Sequence, residues 1–475
     1  MLTTSLEFAI FLPIVFLLYW FVLKNKLRLQ NALILVASYV FYGWWDWRFL
    51  ILIAISSLVD FLVGIGLNHA AEKSKRNILL GISLTVNLGM LGFFKYYNFF
   101  LESFVDAFTL FGYQMAPGRL DIILPVGISF YTLQTLSYTI DVYDRKLTGT
   151  KDFFAFFAYV SFFPQLVAGP IERATHLLPQ FQQKRHFDVD SASDGMRQIL
   201  WGLFKKIVVA DNLAVYTYTI SMNYQDHSAS TLLMCLIMFS FQFYGDFSGY
   251  SDIAIGTGRL FGFRLMKNFD YPIFARSIPE LWQKWHISLF SWFRDYIIKR
   301  LKGFRKWQVA RNILIIFLVT GFWHGAAWTY ILWGLLHALL FMQFIFWGRK
   351  KFKTPVAAGK VLPSWVELGQ MVKTFMSFTL LALFFFIQPL SRCLGYLVAL
   401  VDTSIVKVPL LPENRALAGI VLLLVVEWMQ REKEHGLDLS GRSLPKAVRW
   451  SVYYGLLFAV FYYGGQPQDF LYFQF

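Results

Sequence analysis

Charge is scarce in this sequence. Of its 475 residues only 15% are Asp, Glu, Lys or Arg, against 57% hydrophobic, whereas a soluble domain carries roughly 25% charged residues. That shortage of polar surface excludes an ordinary water-soluble globule. Cysteine is nearly missing as well: Cys235 and Cys393 stand in apolar surroundings without ligand spacing, which excludes a disulfide framework or a thiolate metal site and leaves small apolar fillers. No polar linker or low-complexity segment divides the chain, and no paired repeat of the transporter kind is visible, so residues 1–475 read as one membrane domain. Also missing are a GxSxG elbow, an HExxH pair and a phosphate-binding loop. Hydrolase, zinc-protease and nucleotide-triphosphatase chemistry therefore have no signature here.

What is abundant is aromatic surface: 51 Phe, 24 Tyr and 16 Trp, with mean hydropathy +0.49. Apolar runs at 8–23, 32–45, 49–67, 78–94, 153–166, 232–244, 313–323, 327–347, 371–387, 417–428 and 448–463 predict an all-α polytopic membrane protein with about eleven spans. The first run has no basic segment before it and no small-residue cleavage site after it, so it reads as a retained span. The net charge of +15 does not imply nucleic acid. Its Lys and Arg fall in short clusters between apolar runs, where they orient a membrane protein and meet anionic lipid headgroups. "KNKLR" (24–28), "EKSKR" (72–76), "RKKFK" (349–353) and "REKEH" (431–435) are expected on the cytoplasmic side, and the Trp-rich "GWWDWR" (43–48) at the outer interface.

Pro, Gly, Ser and Asp interrupt the apolar text in "LPVGISFYTLQTLSYTIDVY" (124–143), "FFPQLVAGPIERA" (162–174) and "YGDFSGYSDIAIGTG" (244–258). Such residues break helices or let backbones approach closely, so these stretches predict re-entrant or broken helices around a central, water-accessible funnel. Of the eight histidines, His69, His186, His227 and His435 are expected on solvated loops. His176 is undecided, and His337 suits a core hydrogen bond. His286 lies in "SIPELWQKWHISLFSWFRDYIIKRL", whose aromatic spacing at Trp282, Trp285 and Trp292 predicts an interfacial amphipathic helix. His324 lies in "LVTGFWHGAAWTYILWG", expected to be buried among Phe322, Trp323 and Trp328, with Gly325, Ala326 and Ala327 leaving room for substrate. Both histidines are either satisfied structural residues or a base for proton transfer. With no nucleophile signature, the economical chemistry is a histidine that deprotonates a hydroxyl, which then attacks an activated acyl donor.

The stretches at 124–143, 162–174 and 244–263, with "GLFKKIVVADNLA", "LWQKWHISLFSWFRDY", "TGFWHGAAWTYILWGLLHA" and a terminal "FLYFQF", resemble in order the motifs of the membrane-bound O-acyltransferase superfamily. The resemblance is to its bacterial alginate O-acetyltransferase-like branch. It implies helices packed around a funnel, with His324 as catalytic base and His286 as the second histidine. It also implies Trp285, Arg294, Asp295 and Trp323 along the substrate tunnel. No metal and no tightly bound cofactor are implied. The implied donor is acetyl-CoA or another cytoplasmic acyl thioester. The implied partners are membrane lipid and an extracytoplasmic acyltransferase that completes transfer to a polysaccharide, at the inner (plasma) membrane. Two departures from the family pattern stand out: Gln283 in "LWQKWH" removes a cation while Lys284 keeps one, and "IIKRLKG" replaces a "YIPLGG" turn. A polysaccharide transporter or export channel is the alternative class. A lipid, protein or teichoic-acid acceptor would use the same catalytic residues.

Overall fold

The computed structural model describes residues 1–475 except 111–117, 119, 302, 348–351, 353, 441–444 and 472–475. Of the "RKKFK" cluster only Phe352 is therefore described, and of the terminal "FLYFQF" only Phe470 and Leu471. Among the described residues every regular element is a helix. Five helical stretches are long and apolar enough to cross a membrane: Leu27–His69, Lys73–Thr109, Ala229–Leu260, Trp328–Phe346 and Trp365–Phe386. The chain is a multi-pass membrane protein, and it divides into two compact units: residues 1–192 with 257–266, and 193–256 with 267–475.

In the first unit the helix Ile128–Tyr143 is buried along nearly its whole length. It therefore cannot face lipid or water, and its polar side chains need partners inside the protein. Asp60, from Leu50–His69, collects several of them: Thr139 Oγ1 donates at 2.8 Å and Asn87 Nδ2 at 2.9 Å, and Ser83 also donates. Arg76 sends its guanidinium to the carbonyls of Leu67, Val142 and Tyr143, closing the open ends of two helices. The predicted span at 153–166 is shorter than expected. Its helix stops at Val160, and a buried loop carrying Pro164 follows.

The second unit corrects the reading of "YGDFSGYSDIAIGTG". That segment does not break a helix but lies inside Ala229–Leu260, 32 residues long. Its glycines serve close packing instead. A Cβ on Gly249 would stand 2.8 Å from the carbonyl oxygen of Gly202, and one on Gly202 would stand 2.6 Å from that of Gly249. Gly249 and Gly256, seven apart and facing the carbonyls of Gly202 and Gly195, thus let this helix lie directly against Val189–Leu203.

Just past Gly202, the π-helical turn Phe204–Ala210 carries two buried, adjacent lysines. They feed separate carboxylate groups. Lys205 Nζ lies 2.6 Å from Asp252 and 3.9 Å from Glu427, while Lys206 Nζ lies 2.7 Å from both Asp211 and Asp246. Removing one partner of a buried pair leaves the other charge uncompensated. Lys206→Met should therefore destabilise the protein by about 3–5 kcal/mol, read as a loss of denaturation midpoint in detergent.

His176, in the first unit, is half exposed and pairs with buried Glu172 at 2.7 Å. The hydrogen bond that His176 donates to the Glu172 carboxylate raises the imidazole pKa above its ordinary value, outweighing partial burial. A raised folded-state pKa stabilises fully below the unfolded value and is lost as pH rises through the folded one. His176→Asn should therefore lower the thermal midpoint more at about pH 6 than at about pH 9.

Candidate active site

The sequence from Ile278 to Ile298 reads as one amphipathic helix, but the structure breaks it at the histidine. Ser277 caps the first piece, accepting from Glu280 N at 3.3 Å, and Pro279 sits in its first turn. That piece ends at Lys284, Trp285 is extended, and His286 takes a left-handed conformation at φ 45° before a second helix, Ile287–Phe293. A side-chain-bearing residue in this region is disfavoured by roughly 1–2 kcal/mol, so its surroundings must hold it there.

The segment 268–270 does so. Asp270 N donates to Lys284 O and Ile287 N donates to Asn268 O, each at 2.9 Å, one on either side of the break. The Asn268 side chain then accepts from Ser288 Oγ at 2.9 Å and donates to Ser251 Oγ at 3.0 Å. Burial pushes the Asp270 carboxyl up, but Lys267 and Lys284 outweigh it and hold its pKa below the ordinary value. The cation kept at Lys284 thus pins the break, 3.5 Å from Asp270, while Gln283 lies on the exposed side.

His324 is the last residue of Lys306–His324, and after a three-residue link Trp328–Phe346 runs back beside it. Gly321 and Gly334 allow that hairpin, since a Cβ on either would collide with the facing backbone at Tyr330 and Phe317 respectively. The space beside Gly325 is filled by the Tyr330 ring. The small residue therefore admits a side chain of the protein where the sequence suggested room for substrate. Trp328 is also placed differently from expectation: it is 57% exposed rather than buried.

The two histidines come together. Their ring centroids are 6.3 Å apart, and both residues are buried. Trp323 bridges them, with its ring 6.0 Å from His286 and 5.2 Å from His324. Trp333 and Phe385 stand edge-on to His324 at 5.3 and 5.1 Å, and Phe247 stands edge-on to His286 at 4.6 Å. Trp285 lies one layer away against Phe243, Phe269 and Phe378. Arg294 and Asp295 do not join this group: Arg294 is 61% exposed and pairs with Asp295, which also binds Lys299. The arrangement is a pair of imidazoles in an aromatic wall, suited to moving one proton where water is excluded.

The family model described as "MBOAT, membrane-bound O-acyltransferase family" matches residues 145–357, a stretch that contains both histidines. "Probable alginate O-acetylase AlgI" of Pseudomonas putida is 40% identical over 337 residues, 70% of this chain and 67% of that protein. This chain belongs to the membrane-bound O-acyltransferase family. It is accordingly an O-acyltransferase. "Peptidoglycan O-acetyltransferase" of Helicobacter pylori is 35% identical over 370 residues, 71% of this chain and 68% of that one. "Teichoic acid D-alanyltransferase" of Bacillus subtilis is 29% identical over 269 residues, 53% and 65%. The aligned stretch spans 63% to 68% of the length of the alginate and peptidoglycan relatives.

Two further histidines depart from expectation in this family member. His435, expected on a solvated loop, is buried and 3.2 Å from Asp194. His337, expected to hydrogen-bond in the core, has no hydrogen-bond partner at either ring nitrogen among the described residues. Asn268 was not legible as a site residue; only its place in the polar loop "MKNFDYP" marks it. Asn268→Ala should lower acyl transfer at least tenfold and destabilise by about 1–3 kcal/mol, because Ser251 and Ser288 lose a buried partner. Turnover and thermal midpoint of the same purified variant check both effects.

Proposed function

We propose that this protein is an O-acetyltransferase that moves an acetyl group from a cytoplasmic thioester, acetyl-CoA or another acyl thioester, across the inner (plasma) membrane for O-acetylation of an extracytoplasmic polysaccharide. His324 acts as general base. An extracytoplasmic acyltransferase partner completes the transfer to the polysaccharide. The observation that carries the reading is the buried histidine pair, 6.3 Å between ring centroids, in an aromatic wall. The names of the alginate and peptidoglycan relatives support the acetyl group and the glycan.

In this reaction His324 takes the proton of the acceptor hydroxyl as its oxygen attacks the thioester carbonyl. The new C–O bond forms and the C–S bond breaks. The departing thiolate then receives the proton from the imidazolium, so proton and charge balance within one turnover. His286, fixed in its left-handed turn, orients the reacting groups. Exclusion of water by Trp323, Trp333 and Phe385 protects the thioester from hydrolysis and strengthens each electrostatic contact.

General-base help is worth about 10²–10⁴ in rate, so His324→Ala should reduce acetyl transfer by about that factor while its thermal midpoint stays near wild type. His286→Gln, which keeps a hydrogen-bonding side chain, should retain more activity. Near-normal turnover in His324→Ala would sink the assignment, and equal, complete loss in both variants would remove the division of labour.

A further inference from the structure

Three helices near the histidine pair also help to line a partly open cavity of about 440 Å³. Ile278, Leu340 and Thr374 line it from Ile278–Lys284, Trp328–Phe346 and Trp365–Phe386 respectively, with Gln370 and Lys373 among its polar lining. About one turn along each helix come Trp282, His337 and Phe378. These three rings meet: Trp282 stands edge-on to His337 at 5.0 Å, and Phe378 lies parallel to it within 9°. A further turn brings Trp333, 4.6 Å from His337 and 5.3 Å from His324. His337 therefore stands between the cavity and the catalytic pair.

A row of unsatisfied polar atoms follows the same course. Gln370 Oε1 on the cavity wall, Trp282 Nε1 and both His337 nitrogens are buried with no hydrogen-bond partner among the described residues. Each such group costs roughly 1–3 kcal/mol; others occur elsewhere among the described residues, but these follow one course from the cavity toward the histidine pair. A phenylalanine would fill the place of His337 among Trp282, Trp333 and Phe378 without that cost. Three orphaned groups in sequence point to a ligand that offers donors and acceptors along its length. The amide-bearing pantetheine arm of an acyl thioester has that chemistry.

We infer that His337 is a donor-binding residue, hydrogen-bonding an amide of the thioester's pantetheine arm as it reaches from the cavity beside Arg276 toward His324. The inference rests on the acetyltransferase reading above. The arm is shared by coenzyme A and by a phosphopantetheinyl carrier protein, and the choice between them is made by experiment.

The purified full chain and its His337→Phe and His337→Gln variants are assayed with acetyl-CoA and, separately, with an acetylated carrier protein. Whichever the wild type turns over identifies the source of the arm. With that donor, His337→Phe should raise KM about tenfold, the equivalent of one lost hydrogen bond, with kcat changed far less and the thermal midpoint equal to or above wild type. His337→Gln should recover part of the KM. An unchanged KM in His337→Phe overturns the inference, as does equal loss in both variants accompanied by a lower midpoint, which would mark a packing role. Wild-type protein that turns over neither donor would instead overturn the acetyltransferase reading itself.

Discussion

The backbone pairing of segment 268–270 with the two ends of the break at His286 is the constraint on which the site depends. A continuous helix from Ile278 to Ile298 would satisfy its own hydrogen bonds and carry His286 on a face set by helical periodicity. Instead, Asp270 N and Asn268 O occupy the groups that such a helix would use, at Lys284 O and Ile287 N. With both flanks held, the left-handed turn at His286 is over-determined, and its ring is set against Phe247 and Trp323, opposite His324. The Lys267–Asp270–Lys284 charges fasten the same loop.

Polar groups placed in an apolar protein meet the same demand everywhere: each needs a partner supplied by the fold. The first unit answers at Asp60, which gathers hydroxyl and amide donors from two other helices. The second answers with ionic pairs, and the π-helical turn at Phe204–Ala210 holds two neighbouring lysines that each reach carboxylates of their own. Glu427 is further held by the Tyr244 hydroxyl at 2.7 Å. Such pairs contribute little net stability over an apolar filling, yet they allow few alternative arrangements, because any slip would strand a charge.

Buried polar atoms without a partner occur at many places among the described residues, but those at Trp282, His337 and Gln370 fall on three neighbouring helices. They lie between a cavity and the histidine pair. The pantetheine arm proposed above combines apolar links with amides, and packed aromatic rings with a few unpaired polar atoms match that alternation.

The sequence by itself determined the class of the molecule and the identity of its two central residues. Too few charges to face water and repeated apolar runs admit only a helical membrane protein, since a helix satisfies its backbone internally. Two histidines inside Trp-rich text, with no nucleophile motif, left two readings, satisfied structural residues or a base for proton transfer. Local periodicity could not show that His286 interrupts its helix, because the groups that compete for its backbone lie at 268–270, outside the helical window. Nor could it show that the glycines of 244–258 serve packing within a long helix, that Tyr330 fills the space beside Gly325, or that His337 goes without a partner. Each of these depends on which atoms distant parts of the chain bring within a few ångströms, and only the tertiary structure decides that.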